Sequence, residues 1–285
     1  MIPAPFEYYA PRSLDDAVRY LAEHRDDVKI LSGGQSLMPL LKMRLSKPAY
    51  LVDIGRIPGL DVITDGENEL VIGGLVTHAQ IEDSDLLKEK CPLLPRTATT
   101  IADVQVRNSG TLGGSIAHAD PAGDWPATIL ALEAEIKVAG PAGERWVKAD
   151  DFFLGLLMSV LEPDEIVTAI KVPVTGADKT AYVKAAPRSS GFAVVGVAAR
   201  LALDGAGACT RSAIGITGVT DKAYRAARVE QRLAGKKLDE KTISDAAAEA
   251  TRNIDVIEDI NGSSEYRSQL TRVYVERAIH IAVKS

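Results

Sequence analysis

The sequence is short of the residues that hold metals and disulfides. Its 285 residues include two cysteines, Cys91 and Cys209, set far apart. An all-cysteine iron–sulfur cluster needs about four, so none is expected on this chain. Two unclustered thiols suit a reducing compartment, and the expected location is cytoplasmic. The four histidines, His24, His78, His118 and His280, are scattered, and none falls into HExxH or another metal spacing. A basic excess is also missing. Lys and Arg total 33 against 39 Asp and Glu, a net charge of −6. That balance argues against a nucleic-acid protein, which carries a basic footprint. Long apolar runs are absent too: Phe152 to Leu161 is the longest candidate, ten residues, about half of a membrane span. The opening residues lack the charged-then-apolar order of a signal peptide, so none is expected.

What is present is a globular composition, 46% hydrophobic and 25% charged. A chain of this length can bury a sizeable core and predicts two domains. Ser13 opens a helix in capping-box style, with Asp16 in place of Glu, and Leu14, Ala17, Val18 and Leu21 follow at helical spacing. Val28 to Leu31 is a short strand that runs into a Gly/Ser turn, where Ser36 is placed to cap a helix reaching about Leu45. Tyr50 to Ile54 and Glu69 to Leu75 are further strands, and Thr77 starts a short helix to about Ser84. Pro92 to Val106 reads as partly helical. A helix with Pro126 in its first turn runs to Leu132, where proline is tolerated. Glu135 to Ala139 and Glu165 to Val172 are strands, and Pro173 to Lys179 is the best linker. Beyond it come a three-strand meander (181–186, 193–203, 212–218) and three helices (about 223–233, 239–252, 264–283). The order of elements in the first part is α/β. The division expected is 1–175, with parts at about 1–55 and 56–175, and then 176–285.

Two glycine loops stand out in the first part: Ser32 to Ser36, after a strand and before a helix, and Gly110 to Ser115. Backbone amides freed by glycine beside a helix start cradle phosphate. Two cradles suit a ligand with two linked phosphates. Tight turns demanded by packing are the alternative. Neither loop is a GxxxxGK[ST] P-loop, and no GxGxxG follows the first strand, so a Rossmann NAD site is not supported. Asp124, just beyond the second loop, can accept hydrogen bonds from sugar hydroxyls or cap a helix through backbone amides. His118 can shuttle protons or make a structural hydrogen bond. Arg225, Arg228 and Arg232 fall on one predicted helix, either a solvated face or a docking surface.

Three stretches together carry a resemblance: Leu31 to Leu41 (LSGGQSLMPLL), Gln105 to Ser115 (QVRNSGTLGGS) and Ala119 to Asp124 (ADPAGD). The chain resembles, over nearly its whole length, the FAD-binding medium subunit of molybdenum hydroxylases of the carbon monoxide dehydrogenase and xanthine dehydrogenase family. The resemblance implies an α+β protein: a vanillyl-alcohol-oxidase-type (PCMH-type) FAD-binding domain of two α/β subdomains, then a small domain of a three-stranded sheet and helices. It implies FAD with its pyrophosphate between the loops. Leu31, Ser32, Gly33, Gly34, Gln35, Ser36 and Leu37 would hold one side, and Gly110, Thr111, Gly114 and Ser115 the other. Asp124 would bind FAD hydroxyls, Ile101 and Ile166 would pack on the cofactor, and Lys184 would approach it from the C-terminal part. With no His or Cys in the first loop, the flavin is expected to be non-covalent. The molybdenum cofactor and [2Fe-2S] clusters would sit on partners, an iron–sulfur small subunit and a large molybdenum subunit, in a dimer of heterotrimers. The implied role is electron exit through FAD to an external acceptor. A self-sufficient FAD oxidoreductase of the same fold and a non-enzymatic nucleotide-binding assembly subunit are the rival readings.

Overall fold

The computed structural model describes residues 2–187 and 190–285. Its first sheet is parallel, with Tyr50–Asp53 between Glu7–Tyr9 and Val28–Leu31. Parallel neighbours need crossover connections, and the helices Leu14–His24 and Leu37–Lys42 supply them. Ser13 caps the first helix, accepting from the Asp16 amide at 3.1 Å. Ala17 and Leu21, one turn apart, bury its inner face against Val28 and Val52. The second helix is shorter than the sequence suggests, ending at Lys42. Ser36 lies in helical backbone itself and makes no side-chain cap. Its hydroxyl is therefore not committed to the helix.

The second sheet is antiparallel and five-stranded, in the order Ile63–Asp65, Glu69–Gly73, Ile166–Pro173, Glu135–Gly140 and Gly143–Lys148. The central strand is buried along nearly its whole length, which is why it reads as an unbroken apolar run rather than an alternation. Trp146 lies on the outer strand, 41% exposed, with the Lys171 ammonium 4.7 Å from its ring centroid. Short helices between residues 78 and 131 cover the sheet and share one core with it, including Leu94, Leu112, Ile116 and Trp125. The apolar run 152–161 is not a helix. It ends one helical turn and forms a hairpin, Phe153–Gly155 with Met158–Ser159.

The third sheet holds the predicted meander, Lys179–Ala185, Val195–Leu203 and Cys209–Thr217, plus a fourth strand, Tyr224–Arg225. Two residues are too few to leave a sequence pattern, and the sequence places them in the helix that starts at Ala227. Arg225 is therefore not on the helix with Arg228 and Arg232. It is paired with Glu230 at 2.8 Å and reaches the Leu130 carbonyl. The helices Ala227–Leu233, Glu240–Ala247 and Ser264–Lys284 close a separate core over this sheet. The fully buried helix Asp124–Ala131 packs against the four-stranded sheet on one side and the short helices of the first half on the other, and so joins the two halves. Among the described residues no helix is long and apolar enough to cross a membrane.

Candidate functional site

The strand Val28–Leu31 runs out into the first glycine loop. Gly34 has φ +72°, a left-handed conformation that glycine adopts without a Cβ penalty. Gly33 is constrained differently. A Cβ on it would run into the Ser109 carbonyl oxygen and lie 2.8 Å from the Gly110 Cα. The two loops, 76 residues apart in sequence at Gly33 and Ser109, thus lie against one another. Ser109 Oγ donates to the Gly33 carbonyl at 2.7 Å, and the Ser32 and Thr111 hydroxyls share a hydrogen bond of 2.8 Å.

The loops differ in what they leave free. The amides of Gly33, Gly34, Gln35 and Ser36 have no hydrogen-bond partner among the described residues. Such consecutive donors form a concave anion seat. In the second loop the Leu112 and Gly113 amides donate to the Val76 and Gly74 carbonyls, both at 3.0 Å, and the Gly114 amide donates to Thr111 Oγ1 at 3.1 Å. The sequence suggested a second amide cradle there. The structure instead uses the first two amides to bind the second loop to residues 74–76 and the third within the loop itself. What the second loop offers is close backbone approach and the hydroxyls of Thr111 and Ser115.

Both loops open on a cleft of ≈ 640 Å³. Of the residues that the resemblance assigns to the cofactor, all line it except Leu31 and Lys184. Leu31 lies beneath Gly34. Lys184 stands behind Asp124, with Nζ 3.0 Å from its carboxylate. Asp124 does not cap its helix, because Gly123 occupies the N-cap position. Its carboxylate turns to the third sheet, accepting from Tyr182 Oη at 2.6 Å and from Lys184. Tyr182 and Lys184 are two apart on one strand, so they present the same face. Burial pushes the Asp124 carboxyl above its ordinary range, while the Lys184 ammonium and the Tyr182 hydroxyl pull it back. Burial, with Asp124 as hydrogen-bond partner, holds the Tyr182 phenol well above its ordinary value.

Sequence reasoning missed Tyr182, His78 and the apolar rim. His78 and Trp125 line the cleft, and Trp125 Nε1 donates to His78 Nδ1 at 3.1 Å. The helix start at Thr77 was the one available signal for His78, since the residue after a cap lies at a fixed place. His118 also lines the cleft, at the end of the helix Leu112–His118. Leu157, Met158 and Phe192 stand at its edge, each at least half exposed.

Residues 4–175 match the family model described as the FAD binding domain in molybdopterin dehydrogenase, and residues 180–282 match the CO dehydrogenase flavoprotein C-terminal domain. The chain is 38% identical to the glyceraldehyde dehydrogenase medium chain of Sulfolobus acidocaldarius, covering 98% of each. It is 37% identical to the carbon monoxide dehydrogenase medium chain of Hydrogenophaga pseudoflava, covering 99% of this chain and 98% of that one. Among solved structures, a carbon monoxide dehydrogenase from H. pseudoflava superposes with a TM-score of 0.96 at 38% identity, over 99% of this chain and 98% of that one. Quinoline 2-oxidoreductase from Pseudomonas putida 86 gives 0.94 at 35% identity, over 100% and 99%. The two family models lie end to end along the sequence, and the likeness runs through both, so the chain belongs to the FAD-binding medium subunits of the molybdenum hydroxylases.

Proposed function

We propose that the chain is the electron-exit subunit of a molybdenum hydroxylase complex. The observation that carries this reading is the site itself: two interlocked glycine loops, four free amides on one of them, and a cleft floored by Asp124. The residues fit FAD. The Gly33–Ser36 amides suit a pyrophosphate oxygen, and glycine at 33 leaves room where a Cβ would collide. The Ser32, Thr111 and Ser115 hydroxyls add donors, Asp124 accepts from sugar hydroxyls, and Ile101 and Ile166 offer apolar packing. Lys184 acts through Asp124, keeping a charged acceptor in a buried place. Bound FAD supplies redox chemistry, taking electrons from iron–sulfur clusters on a partner and giving them up to an external acceptor. The chain's own residues bind and orient, and none is assigned as a catalytic acid or base.

The partners in this reading are a small iron–sulfur subunit and a large molybdenum subunit, assembled as a dimer of heterotrimers in the cytoplasm. The relatives are medium chains of larger assemblies. The exposed Leu157, Met158 and Phe192 at the cleft edge, with Leu156 next to them in the chain, suit a face covered by such a partner. We set the boundary between the two parts at residues 175 and 176. The test is FAD uptake by the full chain, followed by anaerobic flavin reduction with and without the co-expressed partners. The expected result is tight non-covalent FAD and reduction by substrate only in the complex. Turnover of a small organic substrate by the isolated chain at an ordinary enzyme rate, on the order of 10 per second, overturns the reading in favour of a self-sufficient flavoenzyme.

A further inference from the structure

His78 is placed by backbone bonds on both sides. Thr77 caps the helix His78–Asp83 in a full capping box with Gln80, and the His78 amide donates to the Gly110 carbonyl at 3.0 Å. Its ring is therefore fixed between the second glycine loop and the Trp125 indole. An indole nitrogen donates and never accepts. The 3.1 Å contact from Trp125 Nε1 thus makes His78 Nδ1 an acceptor and puts the ring proton on Nε2.

Nε2 lies on the loop side. A Cβ added to Gly110 would fall 2.8 Å from it, so glycine at 110 makes room for this ring edge. Among the described residues Nε2 has no hydrogen-bond partner. The sealed polar side-chain atoms that lack one are Thr175 Oγ1 and Arg267 Nε. His78 Nε2 is therefore not sealed, and the space it borders is the cleft. A buried ring with one nitrogen held by a fixed donor and the other turned to an open cleft is a pre-set donor awaiting an acceptor. Charge works in the same direction. Burial, with the Arg107 guanidinium nearby, holds the imidazolium form down to a pKa of about 4. The ring is neutral at physiological pH, and its tautomer is set by Trp125 alone.

The geometry points to His78 as a ligand-contact residue of this cleft, held by Trp125 as the Nε2–H tautomer and donating that proton to an acceptor oxygen of the flavin nucleotide beside Gly110. This inference rests on the FAD reading of the cleft. Trp125 is then a positioning residue that acts through His78. The donor adds no charge, so it contributes direction and selectivity rather than bulk attraction for phosphate.

The test has two arms on the full chain. In the first, ring-15N histidine spectra of the FAD-free protein report the tautomer, with the His78 signals identified by their loss in His78→Gln. The expected pattern is protonated Nε2 and bare Nδ1 at pH 7, relaxing to a tautomer mixture in Trp125→Phe. A protonated Nδ1 in the wild type overturns the inference, whatever FAD does. In the second arm, apoprotein is titrated with FAD and followed by flavin fluorescence. His78→Phe, which keeps the ring volume and removes the donor, should weaken binding about tenfold, equivalent to about 1.4 kcal/mol. His78→Gln, which can still donate, should recover part of the loss. Wild-type protein that never takes up FAD refutes the functional reading and this inference with it. Wild-type uptake with unchanged affinity in a folded His78→Phe refutes this inference alone. If His78→Phe fails to fold, the tautomer spectra and His78→Gln decide.

Discussion

Gly33 and His78 are the two residues whose surroundings are most restrictive. Gly33→Ala places a methyl against the Ser109 carbonyl and the Gly110 backbone, neither of which can move without parting the loops. Overpacking of this kind costs about 1–3 kcal/mol. At roughly 2–4 °C per kcal/mol for chains of this size, calorimetry should show a midpoint several degrees lower. Equilibrium dialysis should show FAD uptake largely lost. Retention of full affinity in Gly33→Ala would mean the loops are turns and not a seat. His78 makes a pH prediction. Its folded pKa is about 4 against an ordinary 6.5, so the unfolded chain binds the proton more readily between those values. Stability from this group is complete above pH 6.5 and is lost as pH falls toward 4. The amount is up to roughly 3 kcal/mol at 1.36 kcal/mol per pKa unit. Denaturant midpoints of FAD-free protein should fall across that window, and the fall should be shallower in His78→Gln.

Among the elements, the hairpin Phe153–Gly155 and Met158–Ser159 is the least settled as a free surface. Leu154, Leu156, Leu157 and Met158 are 52%, 62%, 52% and 59% exposed, and Leu157 sits at φ 54°. A left-handed leucine is uncommon and costs free energy. Exposure and backbone cost together fit a tip that is covered in the assembled complex. Leu154→Asp with Leu156→Asp, both exposed and outside the cleft lining, should leave FAD content and thermal midpoint unchanged in the isolated chain. Co-purification with the partner subunits should drop severalfold. Unimpaired assembly would remove the hairpin from the interface. This element also marks the limit of what sequence reading can reach. The ten apolar residues at 152–161 were plain to see, but their pattern carries no period that separates a hairpin from a helix. The order helix, strand, glycine turn, helix, strand was legible because caps and glycines punctuate it locally, and so was the position of both loops, though not that the amides of the second are used internally. The pairing of Asp124 with Tyr182 was not, since 58 residues separate them and neither carries a local signal. The same holds for Arg225, whose place in a strand depends on pairing with Cys209–Thr217.

At the scale of the molecule, the Asp124–Lys184 pair ties the loop-bearing half to the third sheet, with both side chains more than nine-tenths buried. Removing one partner strands the other's charge, at a cost of about 3–5 kcal/mol. Asp124→Ala should therefore lower both stability and FAD affinity. Asp124→Leu with Lys184→Met removes both charges and should recover most of the stability, as read from denaturant midpoints, while FAD affinity stays low. Recovery of both would make the pair purely structural. The two tryptophans differ in the same way: Trp125 is sealed at the cleft beside this pair, and Trp146 is exposed on the outer strand of the second sheet. Flavin absorbs where indole emits, and energy transfer between them falls steeply with distance. The chain thus carries a built-in optical gauge of its own loading. The emission of Trp125 should be extinguished as the cleft fills, while Trp146 keeps more of its light and stays open to a water-soluble quencher. Occupancy could be followed in the purified chain without a label.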